Sequence, residues 1–331
     1  MKTNKFLASA FALSLLATLN SELSTALAQG SLTPPEPPGP TMKTLDQIEA
    51  RTPISSAPFS ITNPGSYYLA TNITIANGNC ITIGTNGVTL DLNGFTVSSG
   101  VSFSFGSAIV LSSNLRDIAI SNGHIRGGVT NNGSGVYSGH GFANGITYGL
   151  NAPANMLVSH VTISGCGNDG INLGTGDSTV VEACTVRTVG SEGIYASTIK
   201  ESSATDCGGD AIFGDQVSSC RGQSTGTGAG INALSIAQNC YGNSVGGDGV
   251  GAFAAQNCYG NSSTATGVDA STAQNCYGNS TSGFGIDANV AENCIGFSSS
   301  SVGLGGILAS VSSGQSTTGT PISVNHNINC F

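Results

Sequence analysis

The sequence lacks tryptophan and carries few charges, and these absences exclude two broad classes of protein. Only 8% of the 331 residues are charged, whereas 39% are hydrophobic. Intrinsically disordered chains have the opposite balance, with few apolar residues and a high net charge. Acidic residues outnumber basic ones by 18 to 9, and residues 222–331 contain no Lys or Arg. Nucleic acid is not expected as a partner, because its phosphates require a cluster of basic side chains.

The sequence also lacks the histidine spacing of a metal site and any long apolar run after its N-terminus. The four histidines show no H-x-H or H-x₃-H pattern. Lys2 and Lys5 precede an apolar run at residues 6–19, and Ala26-Leu27-Ala28 forms a small-residue cleavage site. The run is shorter than the roughly 20 residues of a membrane-spanning helix. Residues 1–28 are therefore predicted to be a signal peptide, and the mature protein to be secreted or periplasmic without membrane insertion.

Three further segments follow the predicted signal peptide. Residues 29–43 are rich in proline and are interpreted as an extended linker. Residues 44–58 are predicted to cap the following domain with a short amphipathic helix, because Thr44-Leu-Asp-Gln47 has the pattern of a capping box. Residues 59–331 are expected to form one ordered domain.

That domain contains a repeated octapeptide. The segment AQNCYGNS occurs at residues 237–244, 255–262 and 273–280, and the related AENCIGFS at residues 291–298. Gly-Ile, Gly-Val or Ala-Ile pairs recur from Gly170-Ile171 to Gly306-Ile307 in steps of about 18 to 23 residues. A period of this length with turn residues in each unit indicates a solenoid in which each step is one coil.

Within a coil, apolar and polar residues alternate as they do in a strand. Between residues 181 and 187 the inward side is predicted to be Val181, Cys184 and Val186, with a turn near Ala183. Stacked coils lie about 4.8 Å apart, so equivalent residues form columns. The predicted columns are Asn239, Asn257, Asn275 and Asn293 at a turn, with His160 earlier in the same column; Cys240, Cys258, Cys276 and Cys294 pointing inward; and Tyr241, Tyr259 and Tyr277 pointing outward.

The winding is predicted to be a right-handed parallel β-helix. A left-handed β-helix needs an aliphatic residue at every sixth position. Counting in steps of six from Val250 gives Gln256 and Ser262, which are polar. A calcium-binding nonapeptide roll needs repeated Gly-Gly-x-Gly-x-Asp motifs, and only GNDGINL at residues 167–173 comes near. The segments NPGSYYLATNITI, GVTLDLNGFTV, NLRDIAISNGHIRG and the GI…NC coils resemble secreted bacterial β-helix proteins of the pectin-lyase-like superfamily. The resemblance implies this fold for residues 59–331, but superfamily members include both enzymes that cleave polysaccharides and proteins that only bind or adhere.

The resemblance also suggests where chemistry would lie, because lyases of the superfamily hold calcium with Asp clusters and hydrolases pair carboxylates across coils. Asp169, Glu192 and Asp210 precede Gly-Ile or Ala-Ile pairs in three successive coils and are the candidate catalytic or Ca²⁺-binding residues. Asp is also favoured in turns before glycine, which is the simpler interpretation. Lys200 is a candidate assisting base, although Glu182 lies eighteen residues earlier and favours a surface salt bridge instead.

The candidate ligand-binding residues are Tyr241, Tyr259, Tyr277 and Arg187, since stacked aromatic rings can face sugars and arginine can hold a carboxylated sugar. The simpler interpretation of the tyrosines is that their rings stack only on one another. The net charge of −9 opposes an acidic polysaccharide. Residues 127–150 interrupt the period as a Gly- and Asn-rich excursion whose Tyr137, His140, Phe142 and Tyr148 could also contact sugars. Eight of the ten cysteines are interpreted as buried thiols, because inward side chains in register run parallel and do not converge, and Cys80 and Cys330 are left unassigned.

The leading hypothesis is a non-enzymatic β-helix outside the cytoplasm that contacts a polysaccharide or a cell-surface glycan. It requires no cofactor. The alternative is a polysaccharide lyase or glycoside hydrolase that uses the three carboxylates, with Ca²⁺ as the candidate cofactor. A third hypothesis is a purely structural role.

Overall fold

The computed structural model of the protein describes residues 50–175 and 178–328. In these residues the chain forms strands and turns, and no helix long and apolar enough to cross a membrane is present. The strands are β1 (Thr52–Ile54), β2 (Phe59–Ile61), β3 (Gly65–Leu69), β4 (Ile73–Ile75), β5 (Ile81–Ile83), β6 (Val88–Asp91), β7 (Thr96–Ser99), β8 (Ser107–Leu111), β9 (Arg116–Arg126), β10 (Thr130–Asn131), β11 (Tyr137–Ser138), β12 (Asn144–Tyr148), β13 (Ala154–Cys166), β14 (Ile171–Gly174), β15 (Thr179–Glu182), β16 (Thr185–Val189), β17 (Ile194–Lys200), β18 (Ser203–Cys207), β19 (Ile212–Ser218), β20 (Arg221–Ser224), β21 (Ile231–Gln238), β22 (Tyr241–Ser244), β23 (Val250–Gln256), β24 (Tyr259–Ser262), β25 (Val268–Gln274), β26 (Tyr277–Ser280), β27 (Ile286–Glu292), β28 (Ile295–Ser298), β29 (Leu304–Ser310), β30 (Ser313–Ser316) and β31 (Ile322–Ile328).

Twenty-nine of these strands belong to one sheet that winds around a central core. Each strand pairs in parallel with the equivalent strand of the next coil, as in Tyr241↔Tyr259 and Tyr259↔Tyr277. The stacked strands form three faces, which we call A, B and C. Face A runs from β2 and β5 through β8, β12 and β14, and face B runs from β1, β3 and β6 through β15. Face C runs from β4 and β7 through β16, β18 and β20 to β30. From β17 onward one bent strand supplies both face A and face B. The architecture is a parallel β-helix, as expected, and its right-handed sense stays a prediction.

The sheet begins earlier in the chain than the sequence indicates. β1 lies within the segment expected to cap the domain, yet Thr52, Pro53 and Ile54 pair in register with Tyr67, Tyr68 and Leu69 of β3. Residues 52–54 are therefore part of face B. The helix predicted from Thr44 lies outside the described residues.

The coils repeat every eighteen or nineteen residues in the C-terminal part and are longer before it. The sequence analysis aligned Ile307 with Ile286 in the next coil, and this pairing is wrong. Ile286 pairs with Leu304, eighteen residues later, and not with Ile307, which is exposed. Earlier coils are longer because loops leave the winding, as where Ile109 pairs with Ile146.

The corner between face B and face C explains the repeated asparagine. Every residue in this column has a left-handed backbone, from His160 (φ 56°) and Ala183 (φ 51°) to Asn239, Asn257, Asn275 and Asn293 (φ 52–54°). Asparagine adopts this conformation more readily than most residues with a side chain. The Asn column and the structural role of His160 are therefore confirmed, as is the turn at Ala183.

The rest of the octapeptide follows from close packing around the next corner. A Cβ atom on Gly260 would lie 1.9 Å from the carbonyl oxygen of Gly267, so no other residue fits without moving the backbone. Ser262 is buried, donates to the carbonyl oxygen of Gly247 at 2.7 Å and accepts from the amide of Ala265 at 2.9 Å. The serine thus holds the turn between face C and the next coil. Because each coil repeats this geometry, each coil needs the same residues.

The core changes in character along the chain. N-terminal coils fill it with large side chains such as Ile61, Leu90 and Ile120. C-terminal coils keep one large aliphatic side chain each, such as Val268, and fill the remaining positions mainly with alanine, serine and cysteine. The nine cysteines of the described residues are all free and buried, which confirms the interpretation of eight of them as thiols; Cys330 lies outside the described residues.

The excursion at residues 127–150 folds back onto face C. β10 and β11 form an antiparallel pair, and the Tyr137 hydroxyl hydrogen-bonds Asp206 at 3.0 Å and Thr225 at 2.5 Å. Phe142 is fully buried in the core. Burial raises the pKa of Tyr137 well above its usual range. These two aromatic side chains hold the excursion in place.

Val311 occupies the left-handed corner column with a β-branched side chain (φ 48°) that is 55% exposed. Val311→Asn is expected to raise the free energy of unfolding by about 1 kcal/mol, because asparagine tolerates this conformation at lower cost. Urea denaturation followed by circular dichroism would measure the change. Val311→Gly should also stabilise or be neutral, since glycine has no Cβ penalty; destabilisation by both substitutions would contradict the argument.

Candidate functional site

Two of the three predicted carboxylates lie in direct contact at the start of face A. The backbone amide of Glu192 donates to Oδ1 of Asp169 at 3.3 Å. Asn172 donates to Oδ2 of Asp169 at 2.7 Å, and Ser191 donates to Glu192. We refer to Asp169 and Glu192 as the carboxylate pair.

The two members of the carboxylate pair have shifted pKa values of opposite direction. Burial, followed by the contact with Glu192, raises the pKa of Asp169 to about 6. The pKa of Glu192 is lowered, because hydrogen bonds from Asp169 and Ser191 outweigh its own burial. Asp169 is thus the protonated partner and Glu192 the ionised one in mildly acidic solution.

Asp210 does not complete a three-ligand site with the carboxylate pair. Its oxygens accept from the amide of Ala229 at 2.6 Å and from the side chain of Asn232 at 2.8 Å, both in the following coil. Within residues 50–175 and 178–328, no three His, Cys, Asp or Glu side chains are grouped so that they could hold one metal ion. The described arrangement favours the interpretation of these acids as turn residues.

The predicted basic residues lie elsewhere. Lys200 is at the far end of β17 from Glu192 and forms a salt bridge with Glu182 at 2.6 Å, which confirms the surface ion pair. Arg187 is exposed on β16, in the column of Ser164 and Thr205. The structure therefore does not bring Lys200 or Arg187 to the carboxylate pair.

A long surface depression follows the corner between faces B and C over seven coils. We call it the ladder groove; its volume is about 1020 Å³ and it runs from Glu201 to Ser313. Its lining combines three columns of the repeat: the left-handed corner asparagines, the cysteines that follow them and the outward tyrosines. Glu201 and Arg221, both near one end, are the only charged residues among those that line it.

The predicted tyrosine ladder is confirmed and lines this groove. Ring centroids of Tyr241 and Tyr259 are 5.1 Å apart, those of Tyr259 and Tyr277 are 5.0 Å apart, and the rings are nearly parallel. The guanidinium of Arg221 lies 5.4 Å from the Tyr241 centroid and caps the column. Because the rings cover one another, their 36–39% exposure consists of edges and hydroxyl groups. A sugar would contact those edges, and not the stacked ring faces that the sequence suggested.

Two asparagine ladders flank the tyrosines. In the corner column Asn257 donates to Asn239 at 3.2 Å and Asn293 donates to Asn275 at 2.7 Å. On face C a second ladder joins Asn243, Asn261 and Asn279 through amide hydrogen bonds of 2.6 Å. The sequence analysis missed the second ladder, although the same octapeptide carries it at its seventh position.

Face A carries a group of acids that the sequence analysis did not bring together. Asp269 pairs in register with Asp287, and both line a shallow depression of about 500 Å³ with Asp248. Burial and then neighbouring carboxylates raise the pKa of Asp269; burial is also the main cause of the raised pKa of Asp248. The sequence signal for this group was the Asp of the segments GVDA and GIDA, which directly follows the aligned Gly-Val and Gly-Ile pairs.

Comparison with known proteins adds little about function. No protein-family model matches the chain, and no curated protein matches it. A similar solved structure is the A-module of the mannuronan C-5 epimerase AlgE4 from Azotobacter vinelandii, with 13% identity and a TM-score of 0.43. The alignment covers 80% of this chain and 88% of that one. Similarity at this level carries no argument about activity, so the function must be inferred from the surface described above.

The raised pKa of Asp169 predicts a pH dependence of stability. The pKa of Asp169 is raised to about 6 from 3.8, so its protonated form stabilises the fold below pH 3.8 and this contribution is lost as the pH rises through 6. Asp169→Asn mimics the protonated side chain. The urea midpoint of this variant minus that of the wild type should therefore increase as the pH is raised from 4 to 7. Glu201→Gln, at an exposed corner, should track the wild type. A constant difference between wild type and Asp169→Asn across this range would show that the pKa of Asp169 is not raised.

Proposed function

We propose that this protein is an extracytoplasmic β-helix that binds a neutral polysaccharide along the ladder groove and does not cleave it. The observation that carries the proposal is the continuity of the groove. Corner asparagine amides recur in four successive coils from Asn239 to Asn293, and tyrosine edges accompany them in the first three, on one uncharged strip.

The length of the groove suits a polymer. Seven coils line it, and six steps of about 4.8 Å give a length of about 29 Å. A small metabolite would occupy a fraction of such a strip, and each site would be repeated in the next coil. An extended chain could instead make the same contact at each step.

The chemistry of the groove suits hydroxyl groups. A side-chain amide offers two donors and two acceptor lone pairs, and the ladder bonds of the corner column use one donor or one acceptor of each asparagine. The corner asparagines of the groove are exposed, so these remaining groups are available to a ligand. Sugars carry both donors and acceptors and also apolar C–H patches that contact aromatic edges.

The distribution of charge favours a neutral ligand. Residues 222–331 lack any basic residue, and face A exposes several carboxylates on the same coils. An acidic polysaccharide would therefore be repelled by the protein as a whole and would meet only Arg221 in the groove.

The alternative of a hydrolase has no comparable support. Paired catalytic carboxylates lie about 5 Å apart in retaining glycosidases and further apart in inverting ones, which leaves room for the reacting atoms. In this protein the side chain of Asp169 accepts hydrogen bonds from the amide of Glu192 and from Asn172, and that of Glu192 accepts one from Ser191, so both carboxyl groups are held by neighbouring residues. Lys200 is engaged by Glu182 on another part of the surface.

Affinity electrophoresis through soluble neutral glucans and mannans, with pull-down on cellulose and chitin, would test the proposal. At least one neutral polymer should retard the wild type, and polygalacturonate should not. The double variant Tyr259→Ala/Tyr277→Ala should weaken binding tenfold or more, which corresponds to about 1.4 kcal/mol. Tyr259→Phe should have a smaller effect, because it retains the ring stack.

Phe253→Ala is the matched control, since Phe253 is an exposed aromatic residue of β23 outside the groove. Equal loss of binding in this control, or no neutral polymer bound by the wild type, would refute the groove as the binding site. Release of reducing ends or unsaturated uronate by the wild type, abolished by Asp169→Asn, would establish the enzymatic alternative instead.

A further inference from the structure

Five cysteines form a continuous column beneath the ladder groove. Cys220, Cys240, Cys258, Cys276 and Cys294 occupy the same place in five successive coils, directly after the left-handed corner residue. Each side chain is only 1–3% exposed, and each is a free thiol. All five belong to residues that line the groove, so the column lies one layer below solvent.

The register of the column is fixed by the backbone. The amide of Tyr259 donates to the carbonyl oxygen of Cys240 at 2.9 Å, and the amide of Tyr277 donates to that of Cys258 at the same distance. Neighbouring cysteines are therefore one coil apart, about 4.8 Å. Each thiol contacts backbone carbonyl oxygens, as where Cys258 donates to those of Gln256 at 3.2 Å and Ala237 at 3.4 Å.

Packing alone does not require sulfur at these positions. The same column contains Ser202 and Ser312, which are equally buried. Ser312 donates to the carbonyl oxygens of Ser310 at 2.9 Å and Ala291 at 3.4 Å, and Cys294 contacts the equivalent oxygens of Glu292 and Ala273 at 3.2 and 3.4 Å. Serine thus satisfies the site, yet the chain places five thiols in sequence between two serines.

We propose that this cysteine column binds soft monovalent metal ions of the Cu(I) class, each held in line between the sulfurs of two adjacent coils. The inference is independent of the proposed glycan binding, because it concerns the buried sulfurs and not the tyrosines or asparagines. Thiolate ligands favour Cu(I) over harder ions.

The geometry suits two-coordinate ions better than zinc. A metal–thiolate bond is about 2.3 Å long, so two bonds in line span about 4.6 Å, close to the spacing between coils. Zinc needs four ligands, and within the described residues no three metal-binding side chains converge. Cu(I) and Ag(I) accept two ligands in a line, so they do not need three or four side chains that converge on one point.

Proton and charge balance set the stoichiometry. Each ion displaces one proton from each of two thiols to solvent, and the sulfur–ion–sulfur unit carries one negative charge. If no sulfur is shared, five sulfurs accommodate two ions, such as one between Cys240 and Cys258 and one between Cys276 and Cys294. No change in the oxidation state of metal or sulfur is involved.

The test is an anaerobic titration of the reduced, full chain with Cu(I) in competition with bicinchoninate, followed by X-ray absorption spectroscopy of the copper. The wild type should retain about two Cu(I) per chain with a two-coordinate, sulfur-only shell. Replacing Cys240, Cys258, Cys276 and Cys294 by serine should reduce the retained copper at least tenfold. The fold should survive, because serine already occupies this column at two positions.

The control is Cys166→Ser/Cys207→Ser, which removes two buried thiols separated by Val189 in another column. It should bind as much copper as the wild type. Failure of the wild type to retain copper, full retention by the four-serine variant, or a shell with nitrogen or oxygen ligands would overturn the proposal. So would disulfides between column cysteines in the protein as isolated, detected by intact mass before reduction.

Discussion

The parallel, in-register stacking of coils about 4.8 Å apart is the constraint on which the rest of this structure depends. Each coil is joined to the next by backbone hydrogen bonds such as that from Tyr259 to Cys240, so equivalent residues must meet. Any side chain that is repeated is placed against its own copy. Asparagine, tyrosine and serine profit from this arrangement, because an amide bonds to an amide, a ring stacks on a ring and a hydroxyl holds the turn. Like charges would repel, which accounts for the small number of ionisable residues.

The same constraint separates the surface into strips of different chemistry. The corner between faces B and C carries amides and aromatic edges, and face A carries carboxylates such as Asp248 and Asp269. Each strip is straight and periodic because the backbone is. A repetitive polymer is the kind of ligand that such a strip can contact with the same affinity at every step, and this is why the proposed function depends on the groove and not on a single pocket.

The repeat made much of the fold predictable. Eighteen-residue spacing of identical octapeptides determines which residues are neighbours, so the Asn, Cys and Tyr columns could be inferred from position alone. Where the repeat is imperfect, prediction failed: β1 joins face B without any repeat signal, and the glycine of Gly306-Ile307 imitates the periodic pair although Leu304 carries the register. The site was harder to predict. Strand register brings Asp169 and Glu192 to adjacent coils, but their pKa values depend on burial and on side-chain contacts with Asn172 and Ser191. Whether the tyrosine rings cover one another likewise depends on their rotamers, and the sequence repeat does not determine these.

The most direct test of this account is a double-mutant cycle on the tyrosine ladder, measured as free energies of unfolding in urea. Tyr241 and Tyr259 are one coil apart and their rings stack, so Tyr241→Ala and Tyr259→Ala should be coupled by about 0.5–1.5 kcal/mol. Tyr241 and Tyr277 are two coils apart, and their substitutions should be additive. Equal coupling in the two cycles, or none in the first, would contradict the stacking of successive repeats on which every other conclusion rests.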